Sequence, residues 1–335
     1  MNIVRQLDEH LWREFIDGHP SSNIFHTPEM FQVLKQTAGH RPTLWAATGD
    51  EGQVLTLLLP VLITLKGGLL RYLTTRAIIY GSVLYDPGPL GREALAALLH
   101  AYTQKASRDV LFTELRNLSD LSAAQPILNE CGFVYEDHLN YLIDIARSPE
   151  EILQSFSQST RKQIRRGLRR GEMTIEEITT REQLSLCYDL LCQTYTSAQV
   201  PLADRSLFES AFDVLYPKGM ARFVLARVGD SCVGTSIELL YKNSVYGWYG
   251  GVDRAYSRYN PGELLMWHIL KWSAQNGYQV YDFGGAGKPD EEYGVRDFKA
   301  KFGGELVCYG RNVHVHAPAL LRLSEWGYRL LRRWL

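Results

Sequence analysis

The sequence predicts an α/β (α+β) chain in which one unit is used twice, each unit a mixed twisted sheet flanked by helices, with an amphipathic helix at the C-terminus. Three observations carry that expectation. Two Gly-Asp turns between apolar runs, Gly49-Asp50 and Gly229-Asp230, stand 180 residues apart. Two helical patterns, at 93–107 and 263–276, stand about 170 apart, and each is followed by a further apolar run. Strands joined by a tight turn pair antiparallel, whereas strand, helix, strand implies a parallel step, so both sheets are expected to be mixed.

The elements follow in order. In the first half an apolar run at 43–48 reaches the first Gly-Asp turn, strands are expected over 54–65 and 69–83, and a Gly/Pro-rich loop at 86–91 leads to the helix at 93–107 and a strand at 110–115. In the second half 222–228 reaches the second turn. Strands follow at 232–241 and 244–250, then Asn260-Pro261-Gly262, the helix at 263–276 and a strand at 279–283. Between the halves, Ser148-Pro149-Glu150-Glu151 has the hydroxyl, proline and glutamate of a capping box. The helix it opens is expected to run, with a break near Ser159-Thr160, to Gly171, a residue suited to a helix end. A strand at 173–178, a second capping box of Thr180 with Gln183 opening a helix to 196, and Asp204 capping a helix to about 215 complete the junction. These signals divide the chain into domains 1–147 and 148–316 and a helix at 317–335.

Charge excludes a uniformly basic nucleic-acid coat. The 335 residues hold 36 Lys+Arg and 37 Asp+Glu, net −1. That balance hides one hot spot: the ten residues RKQIRRGLRR at 161–170 carry six positive charges and no negative one. The five cysteines are scattered and never spaced C-x-x-C, which predicts a reducing, cytoplasmic setting without a disulfide framework or a zinc site. The amino-terminal MNIVRQLDEHLWREF has no apolar core of a leader, and the most apolar stretch, 54–65, is too short to span a bilayer.

On a helix the cations of 161–170 form two rows, Arg161/Arg165/Arg169 and Lys162/Arg166/Arg170, beside an apolar row of Ile164 and Leu168. Like charges at that spacing repel, so compensation is expected. Either acids such as Glu176 and Glu177 neutralise the face, or it meets a phosphate-rich partner: a nucleotide-linked sugar, a lipid pyrophosphate or the acceptor arm of a tRNA. No aromatic residue interrupts the run, which disfavours base stacking.

The densest chemistry lies at 246–310. In Tyr246-Gly247-Trp248-Tyr249-Gly250-Gly251 strand alternation would send Trp248 and Tyr249 to opposite faces, one lining a cleft and one filling the core. Tyr281-Asp282-Phe283-Gly284-Gly285 is a strand that breaks into glycines at its carboxyl end, where ligands of α/β sheets bind. There is no G-x-G-x-x-G spacing and no Walker lysine. No Ser-His-Asp or cysteine nucleophile signature stands out, and His314-x-His316 lacks further clustered ligands.

Residues 155–310 resemble the C-terminal half of the FemABX peptidoglycan-bridge aminoacyltransferases and related GNAT-like acyltransferases. The resemblance lies in the Arg/Lys helix closing at Gly171, Trp248-Tyr249-x-Gly251, the YSRYNPG loop from Tyr256 to Gly262, Tyr281-Asp282-Phe283-Gly284-Gly285, and Phe298-Lys299-x-x-Phe302-Gly303. Phe25-His26-Thr27-Pro28 and Tyr80-Gly81 extend it less tightly to the first half. It implies two tandem GNAT-like domains and transfer of an amino acid from aminoacyl-tRNA to an amine of a cell-wall precursor peptide. It also implies Lys299 as the cation that stabilises the oxyanion of ester aminolysis, with Phe298 shaping the site. Substrate-binding candidates are Trp248, Tyr249, Arg205, Arg165, Arg169, Tyr256 and Lys35.

Two differences from the family matter. Wall-bridge enzymes of staphylococci carry a long helical-hairpin insertion in the second domain, whereas 215–220 here is a short connection. Ordinary GNAT acetyltransferases hold the acetyl-CoA pyrophosphate on a Gly-rich turn at a helix start. The equivalent stretch here, from Arg258 to Leu264, has one glycine, a proline and an acid. The expected enzyme is thus a monomeric aminoacyltransferase needing no cofactor. Its rivals are an N-acyltransferase using acyl-CoA or an acyl carrier in polysaccharide or amino-sugar modification, and a non-catalytic double-GNAT scaffold. In the tail at 317–335 Leu320, Leu323, Trp326, Leu330, Leu331 and Trp334 oppose Arg322, Arg329, Arg332 and Arg333. Such a helix either docks on its own domain or makes peripheral contact with a membrane surface.

Overall fold

A computed structural model describes residues 1–65, 68–107 and 109–331. In chain order the first part runs β1 (Asn2–Val4), α1 (Glu9–Gly18), α2 (Pro28–Gln36), β2 (His40–Pro42), β3 (Trp45–Thr48), β4 (Val54–Leu58) and β5 (Val61–Thr64). Then come α3 (Arg71–Thr74), β6 (Thr75–Tyr80), β7 (Leu84–Tyr85), α4 (Pro89–Ala106), β8 (Phe112–Arg116), α5 (Gln125–Glu130) and β9 (Val134–Glu136). The strand expected over 54–65 is two strands. Pro60 has no N–H to continue the ladder, and β4 and β5 enter different sheets. The stretch expected as strand from 69 begins as helix, because the Thr74 and Thr75 hydroxyls donate back to the carbonyls of Leu70 and Arg71 and close a turn.

The FHTP segment is a folding signal. Thr27 caps α2, Pro28 takes its first position, and the buried His26 ring accepts from the Asn23 N–H at 3.1 Å. Phe25 stacks on Tyr80 with centroids 5.3 Å apart, and a side chain on Gly81 (φ +75°) would run into Asn23. The residues that carried the first-half resemblance are therefore in mutual contact.

The second part runs β10 (Leu139–Asp144), α6 (Pro149–Ser155), α7 (Gln158–Arg170), β11 (Met173–Glu177), α8 (Arg181–Ser197), α9 (Arg205–Val214), β12 (Ala221–Val228), β13 (Ser231–Tyr241) and β14 (Ser244–Val252). It continues with α10 (Pro261–Gln275), β15 (Val280–Gly285), α11 (Gly294–Ala300) and β16 (Glu305–Cys308), before β17 (Arg311–Val315) and α12 (Pro318–Leu331). Both capping boxes form, at Ser148 and Thr180; Asp204 caps α9, and Gly171 ends α7 in the left-handed region at φ +62°. The break between α6 and α7 falls at Phe156-Ser157, slightly earlier than expected, with the Ser157 hydroxyl restarting the helix. The connection after α9 is a single 3-10 turn, Tyr216–Lys218.

The division at 147/148 and 316/317 is corrected. One unit comprises Met1–Asp137 with Tyr309–Leu335, and the other His138–Cys308. The cause is long-range pairing: β10 lies antiparallel between β15 and β16, whereas β17 lies antiparallel between β8 and β9. Each of these strands pairs across the expected boundary at 147/148. The first unit has a sheet β1-β3-β4-β7 and a mixed sheet β2-β5-β6-β8-β17-β9; the second has one sheet of seven, β11-β12-β13-β14-β15-β10-β16. Two tandem GNAT-like domains thus share the predicted step. β6 and β8 are parallel around α4, and β14 and β15 are parallel around α10.

The tail helix belongs to the first unit. It packs on α3, and the Ser324 hydroxyl donates to the Leu73 carbonyl at 2.6 Å. Its inward side is Leu321 and Ser324, while the expected docking row of Leu320, Leu323 and Trp326 faces out. Arg332, Arg333 and Trp334 lie outside the described residues, as do the side chains of Arg329, Leu330 and Leu331. Among the described residues no helix is long and apolar enough to cross a membrane.

Candidate active site

The site grows from the place where two parallel strands part. β14 and β15 pair only through Ser244, Val245 and Tyr246 with Val280, Tyr281 and Asp282; beyond that β14 stays with β13 as far as Val252, and β15 stays with β10. Glycine is required at the parting point, since a Cβ on Gly247 would stand 2.5 Å from the Tyr281 hydroxyl. On the facing strand Gly284 adopts φ +68°, with the Tyr246 hydroxyl 3.0 Å from where its Cβ would be.

Lys299 reaches this strand end from α11. Its Nζ donates to the carbonyls of Phe283 (2.6 Å), Gly284 (3.1 Å) and Gly285 (2.8 Å). The side chain is 8% exposed, and burial pulls its ammonium down to about 8, opposed by the charge of Asp282. Asp282 is buried beside it, and that burial raises its pKa. The Asn140 amide and the Gly284 N–H, each donating at 2.7 Å, and the Lys299 charge oppose the rise. All three ammonium protons are thus engaged, so an oxyanion reaches Lys299 only by replacing a carbonyl. The longest bond, to Gly284, is the one most easily exchanged. Phe298 is half-buried, edge-on to Phe302 at 5.1 Å, with its ring against Gly262 at the start of α10.

Trp248 and Tyr249 do not go to opposite faces. A bulge pairs Ile237 with Tyr249 and Glu238 with Gly247, leaving Trp248 as the extra residue. Both rings consequently pack on Phe208 of α9, at 6.1 and 4.8 Å, and on each other at 5.1 Å. Tyr195 joins them 5.8 Å from Tyr249, its hydroxyl pushed up to about 12 by burial. The result is an aromatic wall on the α8/α9 face of the sheet.

The remaining candidates scatter. Tyr256 donates to the Ser231 hydroxyl at 2.9 Å and packs on the core, a supporting position. Arg205 is paired with Glu209 at 2.9 Å on its own helix. Lys35 is exposed in the last turn of α2, in the first unit. Arg165 and Arg169 are exposed on α7, and the expected neutralisation by Glu176 and Glu177 does not occur: those acids pair with Arg227 and Arg222 across β11 and β12. Among the described residues no carboxylate pairs with Lys162, Arg165, Arg166 or Arg169. Nor does Leu168 anchor the helix. Ile164 is buried and Gly167 lies against Leu264, so the packed side is rotated and Leu168 is exposed.

Several residues that matter carry little or no sequence signal. Arg296 donates to the carbonyls of Ala286, Lys288, Pro289 and Glu291 and so holds the loop after β15. Its one signal is that it precedes Lys299 on the same short helix, α11. Asn140 is 142 residues from its partner Asp282, and nothing local marks it. Glu238, fully buried on β13, accepts from the Ser236 hydroxyl, and burial pushes its carboxyl up to about 8.

The acetyltransferase (GNAT) domain family matches residues 154–299, from the end of α6 to Lys299. The chain is 20% identical to the lipid II:glycine glycyltransferase of Staphylococcus epidermidis, over 90% of this chain and 89% of that protein. The solved structure of FemX superposes with a TM-score of 0.74 at 18% identity, covering 96% of this chain and 99% of that one. The chain is similar to the FemABX-like acyltransferases of the GNAT superfamily. A tandem GNAT protein from the clavulanic acid biosynthesis pathway shares the fold at 12% identity, with a TM-score of 0.63 and coverage of 95% and 99%. The glycyltransferase alignment runs over 385 positions, more than the 335 residues of this FemABX-like chain, so that relative carries segments absent here.

Proposed function

We propose that this FemABX-like aminoacyltransferase moves an amino acid from aminoacyl-tRNA to an amine of a peptidoglycan-precursor peptide in the cytoplasm. The observation that carries the choice of donor is the closed start of α10. Pro261 offers no N–H, Glu263 places a carboxylate in the first turn paired with Lys301 at 3.2 Å, and the Phe298 ring lies against Gly262. A CoA pyrophosphate would meet an acid and a ring where it needs backbone donors. The unpaired cations of α7 instead offer phosphate contacts of the kind a tRNA supplies.

In the transfer, the acceptor amine attacks the ester carbonyl of the aminoacyl group. A C–N bond forms and the carbonyl oxygen becomes an oxyanion. The C–O bond to the terminal ribose then breaks, and the ribose oxygen leaves as a hydroxyl while the nitrogen gives up its proton. Lys299 is assigned to the oxyanion, which takes over the hydrogen bond now made to the Gly284 carbonyl. A cation fixed in a dry site stabilises that charge with little reorganisation. The aromatic wall of Trp248, Tyr249, Phe208 and Tyr195 is assigned to shaping and drying the cleft.

The test offers the purified chain labelled aminoacyl-tRNAs and labelled acetyl-CoA side by side, with nucleotide-linked and lipid-linked precursor peptides as acceptors. Product gaining the mass of one aminoacyl residue, an amino acid less one water, is the expected result. Transfer from acetyl-CoA with none from any aminoacyl-tRNA would overturn the reading.

A further inference from the structure

Large apolar side chains stand exposed in the first unit on α12 and on and before α3, the two helices that touch. Leu65, Leu70 and Tyr72 are 62%, 54% and 50% exposed, and on α12 Leu320, Leu323 and Trp326 are 41%, 49% and 61% exposed. Positions 320, 323 and 326 follow one stripe of the helix, and a different stripe, through Leu321 and Ser324, is the one turned toward α3. Orienting a helix with its apolar stripe outward leaves that area in contact with water unless something covers it.

A basic hollow opens beside α3. A space of about 490 Å³ is lined by His40, Arg41, Arg71, Tyr72 and Asp109, among others. A second of about 290 Å³ shares Arg41 and Asp109 with it and adds Arg5 and Lys105. Among the described residues Asp109 is the one carboxylate lining either, against four cations. The Arg71 guanidinium lies 4.8 Å over the Tyr72 ring and donates to its hydroxyl at 2.8 Å. α3 therefore belongs to both features: Arg71 and Tyr72 line the hollow, and α12 packs on the same turn.

We infer that this face of the first unit docks on an anionic lipid bilayer. The outward stripe of α12 with Leu65, Leu70 and Tyr72 enters the interfacial layer, and Arg41 and Arg71 take lipid headgroup phosphates. Charge complementarity selects that occupant: a protein partner with an apolar face would leave the cations unmatched, and a free anion would leave the apolar stripe wet. Leucine, tryptophan and arginine together are the composition of interfacial helices, and each cation near an anionic leaflet strengthens binding about fivefold. The inference goes beyond the proposed transfer reaction and is read without it.

The experiment co-sediments the full chain with vesicles of phosphatidylcholine alone and of phosphatidylcholine with phosphatidylglycerol. Binding to the anionic vesicles is expected, weakening as salt rises. Leu323→Asp with Trp326→Asp, and separately Arg41→Glu with Arg71→Glu, should each weaken it by about tenfold or more, with unchanged circular dichroism and melting. Absence of binding, equal binding to both vesicle types, or variants that bind like the parent would overturn the inference, as would displacement by millimolar inorganic phosphate. Absent vesicle binding with aminoacyl transfer intact would sink this inference and leave the proposed function standing; the reverse result would do the opposite.

Discussion

Lys299→Met deletes an ammonium and keeps most of the stem, so it isolates the charge. Three carbonyls at 2.6, 2.8 and 3.1 Å lose their donor in a place 8% exposed, and the buried Asp282 loses its counter-charge. Breaking a buried ionic cluster by removing one member costs about 3–5 kcal/mol, the same order as leaving two carbonyls unsatisfied. With a urea dependence of about 2 kcal/mol per M, the unfolding midpoint of the second unit should fall by about 2 M. Hydrogen exchange at the β15 amides reads that unit separately from the first. A midpoint within about 0.5 M of the parent would show that the lysine is not holding the strand end, and the carbonyl clamp would be discarded. Transfer measured in buffer where the variant remains folded then separates clamp from chemistry: a folded, fully active variant removes Lys299 from the mechanism. The pH profile gives a second reading. The protonated form is the active one, so transfer should persist below and decline as pH rises through about 8. Lys299→Arg, if active, should move that decline to higher pH.

Other expectations follow from single side chains. Phe208→Ala empties a site that is 1% exposed beneath Trp248 and Tyr249, and should cost about 3–5 kcal/mol in chemical denaturation and flatten the near-ultraviolet circular dichroism. Arg165→Glu with Arg169→Glu should leave stability within about 0.5 kcal/mol, because neither side chain has a carboxylate partner among the described residues. Binding to tRNA should weaken, and its logarithmic salt slope should shrink by about one for each phosphate no longer neutralised. The Glu238 carboxyl is held at about 8 against 4.5 for an unburied glutamate, so the folded state keeps a proton that the unfolded state has released. Stability should therefore decline from pH 4.5 to 8, and Glu238→Gln should flatten that decline in melting curves taken across the range.

Much of the second unit was legible because its signals are local. A capping box is a reciprocal hydrogen bond within four residues, and both boxes, the Asp204 cap and the Gly171 stop form where the sequence places them. The site was half legible. The order Tyr281-Asp282-Phe283-Gly284-Gly285 followed by Phe298-Lys299 located the strand end and its lysine, but a lysine among glycines does not say that three carbonyls will saturate it. Alternation predicted opposite faces for Trp248 and Tyr249, and one inserted residue in the ladder reversed that.

The sequence by itself determined which segments are helix and strand in most of the chain, the repeated strand-helix-strand step, the concentration of positive charge on α7 and the resemblance to the FemABX enzymes. Periodicity, caps and composition act over a few residues and need no knowledge of distant chain. Only the tertiary structure decided that β10 and β17 each cross the expected boundary, that the acids near α7 are committed to Arg222 and Arg227, and that α12 turns its apolar stripe outward. Each of those depends on which of several chemically equivalent partners a residue meets. That choice is made by packing between segments far apart in sequence, where β-pairing and burial outweigh local preference.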